Sequence, residues 1–116
     1  MPNGELICLD PAAAEELRQG CISDERAGRL SDQLKALADP TRLRLAAALR
    51  ESDELCVFDL AWVTRRPENL VSHHLRQLHQ AGLVRRRREG KKVLYEVNER
   101  GGALIALALD EAEALA

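Results

Sequence analysis

Residues 55–82 read LCVFDLAWVTRRPENLVSHHLRQLHQAG, a stretch with the signals of two short helices and a tight turn between them. The first helix is predicted from about Cys56 to Val63, and the residues RRPE form the turn. Pro67 suits the first turn of the second helix, and Gly82 suits the position just past its end. Two short helices joined in this way form a helix–turn–helix.

The flanking sequence predicts a mainly α-helical chain with one small β-hairpin. Helices are expected after Asp10-Pro11, over about residues 24–38, and after Asp39-Pro40, because a capping aspartate precedes a proline in two of these places. LVRRRREGKKVLYEV, residues 83–97, predicts a hairpin with its turn at Glu89-Gly90. Asn98 is a candidate cap for a last helix. The predicted order is α-α-α-α-α-β-β-α, a winged helix–turn–helix.

Three segments are predicted along the 116 residues. Residues 1–23 form an N-terminal arm with a short helix, residues 24–98 form the winged helix–turn–helix domain, and residues 99–116 form a C-terminal helix. Aromatic residues make up only 3% of the chain, so the core must be small and aliphatic. The apolar stripe of the last helix can pack on its own chain or form a dimer interface. We expect a homodimer, because a small core gains from further burial.

The positive charge of the chain is concentrated in one region. The net charge is −2, yet residues 65–92 contain nine Lys or Arg against two Asp or Glu, a local charge of +7. A basic patch on an acidic protein is typical of a surface that binds a polyanion, most simply double-stranded DNA. The alternative is a solvated basic surface without a partner.

The second helix of the pair has one apolar side and one hydrogen-bonding side. At about 100° per residue, Val71, Leu75 and Leu78 fall on one side. Side chains that can read base edges or bind phosphates fall on the other. This is what a recognition helix in the major groove requires. The predicted DNA-contacting residues of this helix are Asn69, Ser72, His73, Arg76 and Gln80.

The hairpin offers a second surface for DNA. Strand side chains alternate between two faces, so only part of its basic residues can reach one phosphate backbone. We select Arg88, Lys91 and Lys92, near the tip, as phosphate contacts that supply affinity more than sequence choice. The three histidines are interpreted as polar helix residues, because adjacent histidines on a helix point in different directions.

The sequence has no apolar run of about 18 residues and no signal-peptide pattern, so we predict no membrane span and a cytoplasmic location. In a reducing compartment its three cysteines are expected to be thiols or metal ligands rather than disulfides. There is no glycine-rich phosphate loop and no nucleophile–histidine–acid arrangement. We therefore predict that the chain is not an enzyme.

Four segments of the sequence, taken together, resemble the ArsR/SmtB family of metal-sensing repressors. They are LKALADPTRLRLAAAL, ELCVFDLA, SHHLRQLHQAGLV and RREGKKVLYEV, in that order and spacing, within about residues 30–98. The resemblance implies a winged-helix homodimer that represses a metal-efflux or detoxification operon. It also implies that the repressor leaves its operator DNA when metal binds.

Cys56 has two readings. On its own, a cysteine among apolar neighbours is often a small buried hydrophobe. The resemblance implies a ligand, because the cadmium/lead-sensing (CadC-like) and arsenic-sensing members place a thiolate at ELCV. Their pattern is usually Cys-Val-Cys-Asp, and here Phe58 replaces the second cysteine. The segment ICLD, with Cys8, resembles the N-terminal arm of the cadmium sensors, whereas Cys21 has no matched position. The predicted metal ligands are Cys8, Cys21 and Cys56.

Three thiolates select a soft metal ion as effector. Cadmium and lead come first, arsenic(III) follows closely, and zinc would need a fourth ligand. The second metal site of the family, on the last helix, is expected to be absent, because Asp110, Glu111 and Glu113 have no histidine beside them. Two alternatives stay open on the same scaffold: a thiol redox-sensing repressor, and a constitutive DNA-binding module with inert cysteines.

Overall fold

The computed structural model describes the backbone of residues 8–115 and the side chains of residues 8–110. Residues 1–7 of the predicted N-terminal arm, and the side chains of Glu111 and Glu113, lie outside the described residues. The fold is the predicted one, mainly helical with a hairpin wing, plus one short strand. In chain order the elements are α1 (Pro11–Gly20), α2 (Asp24–Leu37), α3 (Pro40–Arg50), β1 (Leu55–Cys56), α4 (Val57–Thr64), α5 (Glu68–Gln80), β2 (Val84–Glu89), β3 (Lys92–Val97) and α6 (Glu99–Leu115).

The helix starts follow the capping residues seen in the sequence. Asp10 Oδ2 accepts a hydrogen bond from the Ala13 amide at 3.3 Å, and Asp39 Oδ2 accepts one from the Arg42 amide at 3.0 Å. Asn98 Oδ1 likewise accepts from an amide in the first turn of α6, at 2.8 Å. Each cap satisfies a backbone N–H that the first turn of a helix leaves without a partner. The three predicted caps are confirmed.

The strand β1 was not predicted, and it changes the start of α4. Cys56 is the N-cap of α4, with φ −87° and ψ 171°, rather than its first helical residue. Its backbone lies opposite Leu94 in an antiparallel sheet with the strand order β1-β3-β2. The helix predicted from about Cys56 to Val63 is present as Val57–Thr64, one residue later at each end. A strand of two residues is too short to produce a recognisable alternation.

The chain divides into two compact units, residues 1–30 and residues 31–116. In the first unit, α1 contains no buried residue. The second unit contains the aliphatic core, in which α3, α4, α5 and α6 surround side chains with almost no exposure: Leu45, Leu49, Leu60, Val71, Leu75, Leu78, Leu83 and Ile105. The predicted segment boundaries at residues 23 and 98 stay predictions. No helix within residues 8–115 is long and apolar enough to cross a membrane.

Gly101 allows α6 to approach the start of the wing. A Cβ atom at this position would lie 2.2 Å from the carbonyl oxygen of Leu83. The Asn98 amide donates to the same carbonyl at 3.1 Å. Asn98 Nδ2 also donates to the carbonyl of Gly82. These contacts hold together the end of α5, the start of β2 and the start of α6. They leave no room for a side chain at position 101.

Candidate nucleic-acid interface and thiol site

The turn between α4 and α5 fixes the position of the candidate reading helix. Arg65 has the left-handed backbone conformation, with φ 56°, and the amide of Arg66 donates to the carbonyl of Ala61 at 3.1 Å. Arg44 on α3 donates to the carbonyl of Thr64 at 3.0 Å. These bonds satisfy carbonyl groups at the end of α4, which a helix leaves without intrahelical partners.

A second anchor joins α3 to α5. The guanidinium of Arg42 donates to the carbonyl of Ala36 at 2.6 Å and to Gln77 Oε1. It also lies 3.2 Å from Nδ1 of His74. Burial, the largest cause, lowers the pKa of His74; Arg42 and His73 lower it further, and Asp39 acts in the opposite direction. A neutral His74 can accept a hydrogen bond from Arg42, so α5 is held by a polar contact as well as by its apolar side.

The two predicted sides of α5 are confirmed. Val71, Leu75 and Leu78 are fully buried, while the predicted contact residues Asn69, His73, Arg76 and Gln80 are exposed and Ser72 is half-buried. Ser72 and Arg76 lie beside the wing, where they line a cleft of about 400 Å³ with residues of β2 and β3. The contact of these side chains with DNA stays a prediction.

The four arginines of β2 divide into two pairs by the alternation of the strand. Arg85 is paired with Glu96 at 3.0 Å, and Arg87 with Glu54 at 2.7 Å and with Glu89 at 3.0 Å. Arg86 and Arg88 lie opposite Tyr95 and Val93 in the hairpin, and together with Arg87 they line the cleft beside α5. Among the ion pairs of side chains 8–110, these two arginines have no carboxylate partner.

Arg86 is therefore a candidate phosphate contact that sequence reasoning missed. Arg88 was predicted, and strand alternation from Arg88 would have pointed to Arg86 as its neighbour on the same face. Lys91 and Lys92 are exposed at the tip as expected. They also line a different cleft, of about 390 Å³, together with Cys56, Phe58 and Asp59.

Cys56 is a half-buried free thiol at the start of α4. Its Sγ donates to Asp59 Oδ2 at 3.1 Å, and its backbone N–H donates to the same oxygen at 3.1 Å. These two bonds, side chain first, lower the pKa of Asp59, and the charge of Lys92 lowers it further. Phe58, at the position of the missing cysteine, is 65% exposed. The first turn of α4 thus offers one sulfur and one oxygen donor.

The other two predicted ligands belong to the first unit. Cys8 and Cys21 are exposed free thiols, and Cys21 directly follows α1. Among the described side chains, no three His, Cys, Asp or Glu residues are grouped closely enough to hold a metal ion. The side chains of residues 8–110 therefore form no complete metal site, and the set Cys8, Cys21 and Cys56 stays a prediction. Asp110 is exposed on α6.

Comparison with known proteins identifies the fold and the family. The family model described as "Bacterial regulatory protein, arsR family" matches residues 39–86. The "Transcriptional repressor SmtB homolog" of Synechocystis is 43% identical over 95 residues, which is 78% of this chain and 71% of that protein. The "Cadmium resistance transcriptional regulatory protein CadC homolog" of Staphylococcus aureus is 42% identical over 65 residues, which is 56% of this chain and 54% of that protein.

Solved structures agree with this assignment. The crystal structure of the AntR antimony-specific transcriptional repressor has a TM-score of 0.75 and 30% identity, covering 95% of this chain and 97% of that one. The homodimeric winged helix-turn-helix DNA-binding domain of a possible ArsR-family regulator from Mycobacterium bovis has a TM-score of 0.70 and 31% identity, covering 79% and 88%. The chain belongs to the ArsR family of bacterial regulatory proteins, a family of winged helix–turn–helix transcription regulators and not of enzymes.

Proposed function

We propose that this chain is a metal-responsive repressor that binds operator DNA as a homodimer and leaves it when a thiophilic metal binds cysteine thiolates. The observation that carries the proposal is the position of Cys56. Its half-buried thiol begins the first helix of the helix–turn–helix, and its backbone belongs to the same sheet as the wing. A ligand at this thiol acts where the first helix of the helix–turn–helix meets the sheet of the wing.

The surface made by α5 and the wing suits a DNA duplex. Arg76 and Gln80 can pair with base edges in the major groove. Arg86 and Arg88, which line the cleft beside α5, can neutralise phosphates and make affinity depend on salt. Lys91 and Lys92 extend the positive charge to the tip. Asn69, Ser72 and His73 complete the proposed reading surface.

An apolar groove supports the proposed homodimer. It has a volume of about 330 Å³ and is lined only by Leu and Ala side chains of α2, α3 and α6, with a leucine of each helix exposed: Leu34, Leu43 and Leu107. Contiguous exposed leucine surface is uncommon on a monomer and typical of an interface. A related domain of this fold is homodimeric. A dimer would present two copies of α5 to two half-sites one helical turn apart.

The proposed donors are soft. Thiolates of Cys8, Cys21 and Cys56 favour cadmium or lead, with arsenic(III) close behind, and zinc could complete four ligands with Asp59 beside Cys56. The names of the relatives, which include a cadmium-resistance regulator and an antimony-specific repressor, support a metal effector over the redox-sensing alternative. Binding requires the thiolate, so the proton that Cys56 donates to Asp59 must leave.

Release from DNA follows from linkage. If the metal-bound protein fits DNA less well than the metal-free protein, metal must weaken DNA binding by the same factor as DNA weakens metal binding. The size of this factor is set by how differently the two shapes bind DNA, and is typically about 5- to 150-fold.

A metal titration tests the proposal. The reduced protein is titrated without oxygen with cadmium, lead, zinc, arsenite and antimonite, following thiolate-to-metal ultraviolet absorption, beside a Cys56→Ser control. DNA affinity is measured with a duplex selected by the metal-free protein from a random-sequence library. A saturable signal that the control lacks, together with weaker DNA binding, supports the proposal. Unchanged DNA affinity at saturating metal contradicts it, and peroxide-sensitive binding without metal would favour the redox alternative.

A further inference from the structure

Hydrogen-bonded rungs of the sheet connect the thiol residue to the wing. On one rung Cys56 lies opposite Leu94, and Leu94 lies opposite Arg87. The next rung joins Leu55, Tyr95 and Arg86 in the same way. The residue that carries the thiol and an arginine of the DNA-facing cleft are therefore on neighbouring rungs. Because β1 has only two residues, backbone pairing alone ties it weakly to the sheet.

An ion pair reinforces that weak connection. Glu54, immediately before β1, accepts two hydrogen bonds from Arg87, from Nε at 2.7 Å and from Nη2 at 2.8 Å. The pair reaches over β3, so it connects the two outer strands directly. Bidentate pairs of this kind fix orientation as well as distance.

We infer that the Glu54–Arg87 pair transmits the state of Cys56 to the wing. The inference rests on the proposed function, because it concerns how a ligand at Cys56 alters the DNA-facing surface. A ligand that shifts the segment 54–56 pulls on β2 through this pair. Arg86 and Arg88 are the neighbours of Arg87 on β2, so they then move relative to Ser72 and Arg76. Glu54 and Arg87 are positioning residues that need not touch metal or DNA themselves.

A matched arginine on the same strand provides the control. Arg85 lies on the same face of β2 as Arg87, but its partner Glu96 belongs to β3, inside the hairpin. Weakening the Arg85–Glu96 ion pair alters a charged contact within the wing but leaves the ion pair between Glu54 and Arg87 intact. Comparing variants of the two ion pairs therefore distinguishes a loss of coupling to Cys56 from a general effect on the hairpin.

The test compares the ratio of DNA dissociation constants, with saturating cadmium chloride and without metal, among four proteins. They are the wild type, Glu54→Gln, Arg87→Lys and Arg85→Lys. We expect the ratio to fall at least about fivefold in Glu54→Gln, within the usual range of coupling. The ratio should also fall in Arg87→Lys, because lysine keeps the positive charge but cannot make the two parallel hydrogen bonds of the guanidinium. It should stay unchanged in Arg85→Lys. In Glu54→Gln, metal-free DNA affinity should change by less than about threefold, as for a surface ion pair whose carboxylate lies outside the cleft beside α5. The cadmium absorption signal should keep its stoichiometry.

The possible outcomes distinguish a failure of this inference from a failure of the proposed function. A wild-type ratio above one that Glu54→Gln retains in full overturns the role of the pair and leaves the proposed function standing. An equal loss in Glu54→Gln and Arg85→Lys also overturns it, since the effect would then belong to the whole hairpin. A wild-type ratio of one with cadmium, and equally with lead, zinc, arsenite and antimonite, overturns both. If Glu54→Gln loses its helical circular dichroism, the ratio of the milder Arg87→Lys variant decides.

Discussion

The proposed DNA-binding surface and the proposed thiol site are built from stretches of chain of very different length. The first is made by α5 and the wing, which are adjacent in sequence between residues 68 and 97 and belong to one compact unit. The predicted thiol ligands extend from Cys8 to Cys56 and belong to two units. Local periodicity is enough to build the first, whereas the second requires distant segments to meet. The ligand set can consequently change, as at Phe58, without any change in the reading helix.

The substitution with the largest expected effect should remove the metal response and leave the proposed DNA-binding surface intact. Replacing Cys56 by Ser should abolish the loss of DNA affinity caused by cadmium, from about 5- to 150-fold in the wild type to onefold. Metal-free affinity should stay within about twofold, because no residue of the α5–wing cleft is altered. Fluorescence anisotropy with the selected duplex measures both numbers. A cadmium response that survives in the variant would show that Cys56 is not a ligand.

A second substitution should disturb the proposed DNA-binding surface and leave the thiol site intact. Gly101→Ala places a methyl group against the Leu83 carbonyl at the start of the wing, where the backbone cannot yield. We expect the free energy of unfolding to fall by about 1–3 kcal/mol, as for overpacking. DNA affinity should fall as well, since β2 begins at this contact. Urea denaturation followed by circular dichroism provides the measurement.

The neighbouring glycine is the control for that experiment. A Cβ atom on Gly102 would lie 3.8 Å from Val97 Cγ2, an ordinary contact distance. Gly102→Ala should therefore raise the free energy of unfolding by about 0.5–1 kcal/mol, the usual gain from alanine inside a helix. Equal destabilisation by both substitutions would contradict the argument from close approach.

A smaller effect should distinguish the two faces of β2. Arg86→Ala removes from the cleft beside α5 an arginine that has no carboxylate partner among residues 8–110, so DNA affinity should fall about 5- to 10-fold at physiological salt. The slope of log affinity against log salt should decrease by about one unit, the expected value for one lost phosphate contact. Arg85→Ala, which removes a paired arginine from the other face, should change both quantities less. A larger effect from Arg85 would reverse the assignment of the faces.

The smallest expected effect concerns the anchor of α5 and depends on pH. Because burial lowers the pKa of His74 below its ordinary value of 6.5, the folded state disfavours the protonated ring. Its stabilising contribution is therefore complete above about pH 6.5 and is lost as the pH falls through the lower folded-state pKa. The free energy of unfolding should decline between about pH 7 and pH 5. His74→Gln should flatten that decline, and an unchanged slope would exclude His74 as its source.

Much of the fold follows from local sequence signals. The caps at Asp10, Asp39 and Asn98, the turn at Gly90 and the two sides of α5 all depend on residues within a few positions of one another. Capping and periodicity act over one or two turns of chain, so a single sequence contains them in full. β1 and the carboxylate partners of Arg85 and Arg87 were not predicted, because both depend on pairing with residues elsewhere in the fold.

The sequence by itself determined the helix–turn–helix, the wing, the basic surface and the presence of a thiol at the start of α4. Tertiary structure alone decided that Arg85 and Arg87 form ion pairs with carboxylates. It also decided that Glu54 ties the Cys56 segment to the wing and that Gly101 must lack a side chain. The physical reason is the same in each case. Ion pairs and close backbone contacts form between segments that meet only when the chain has folded, and they leave no pattern at helical or strand spacing.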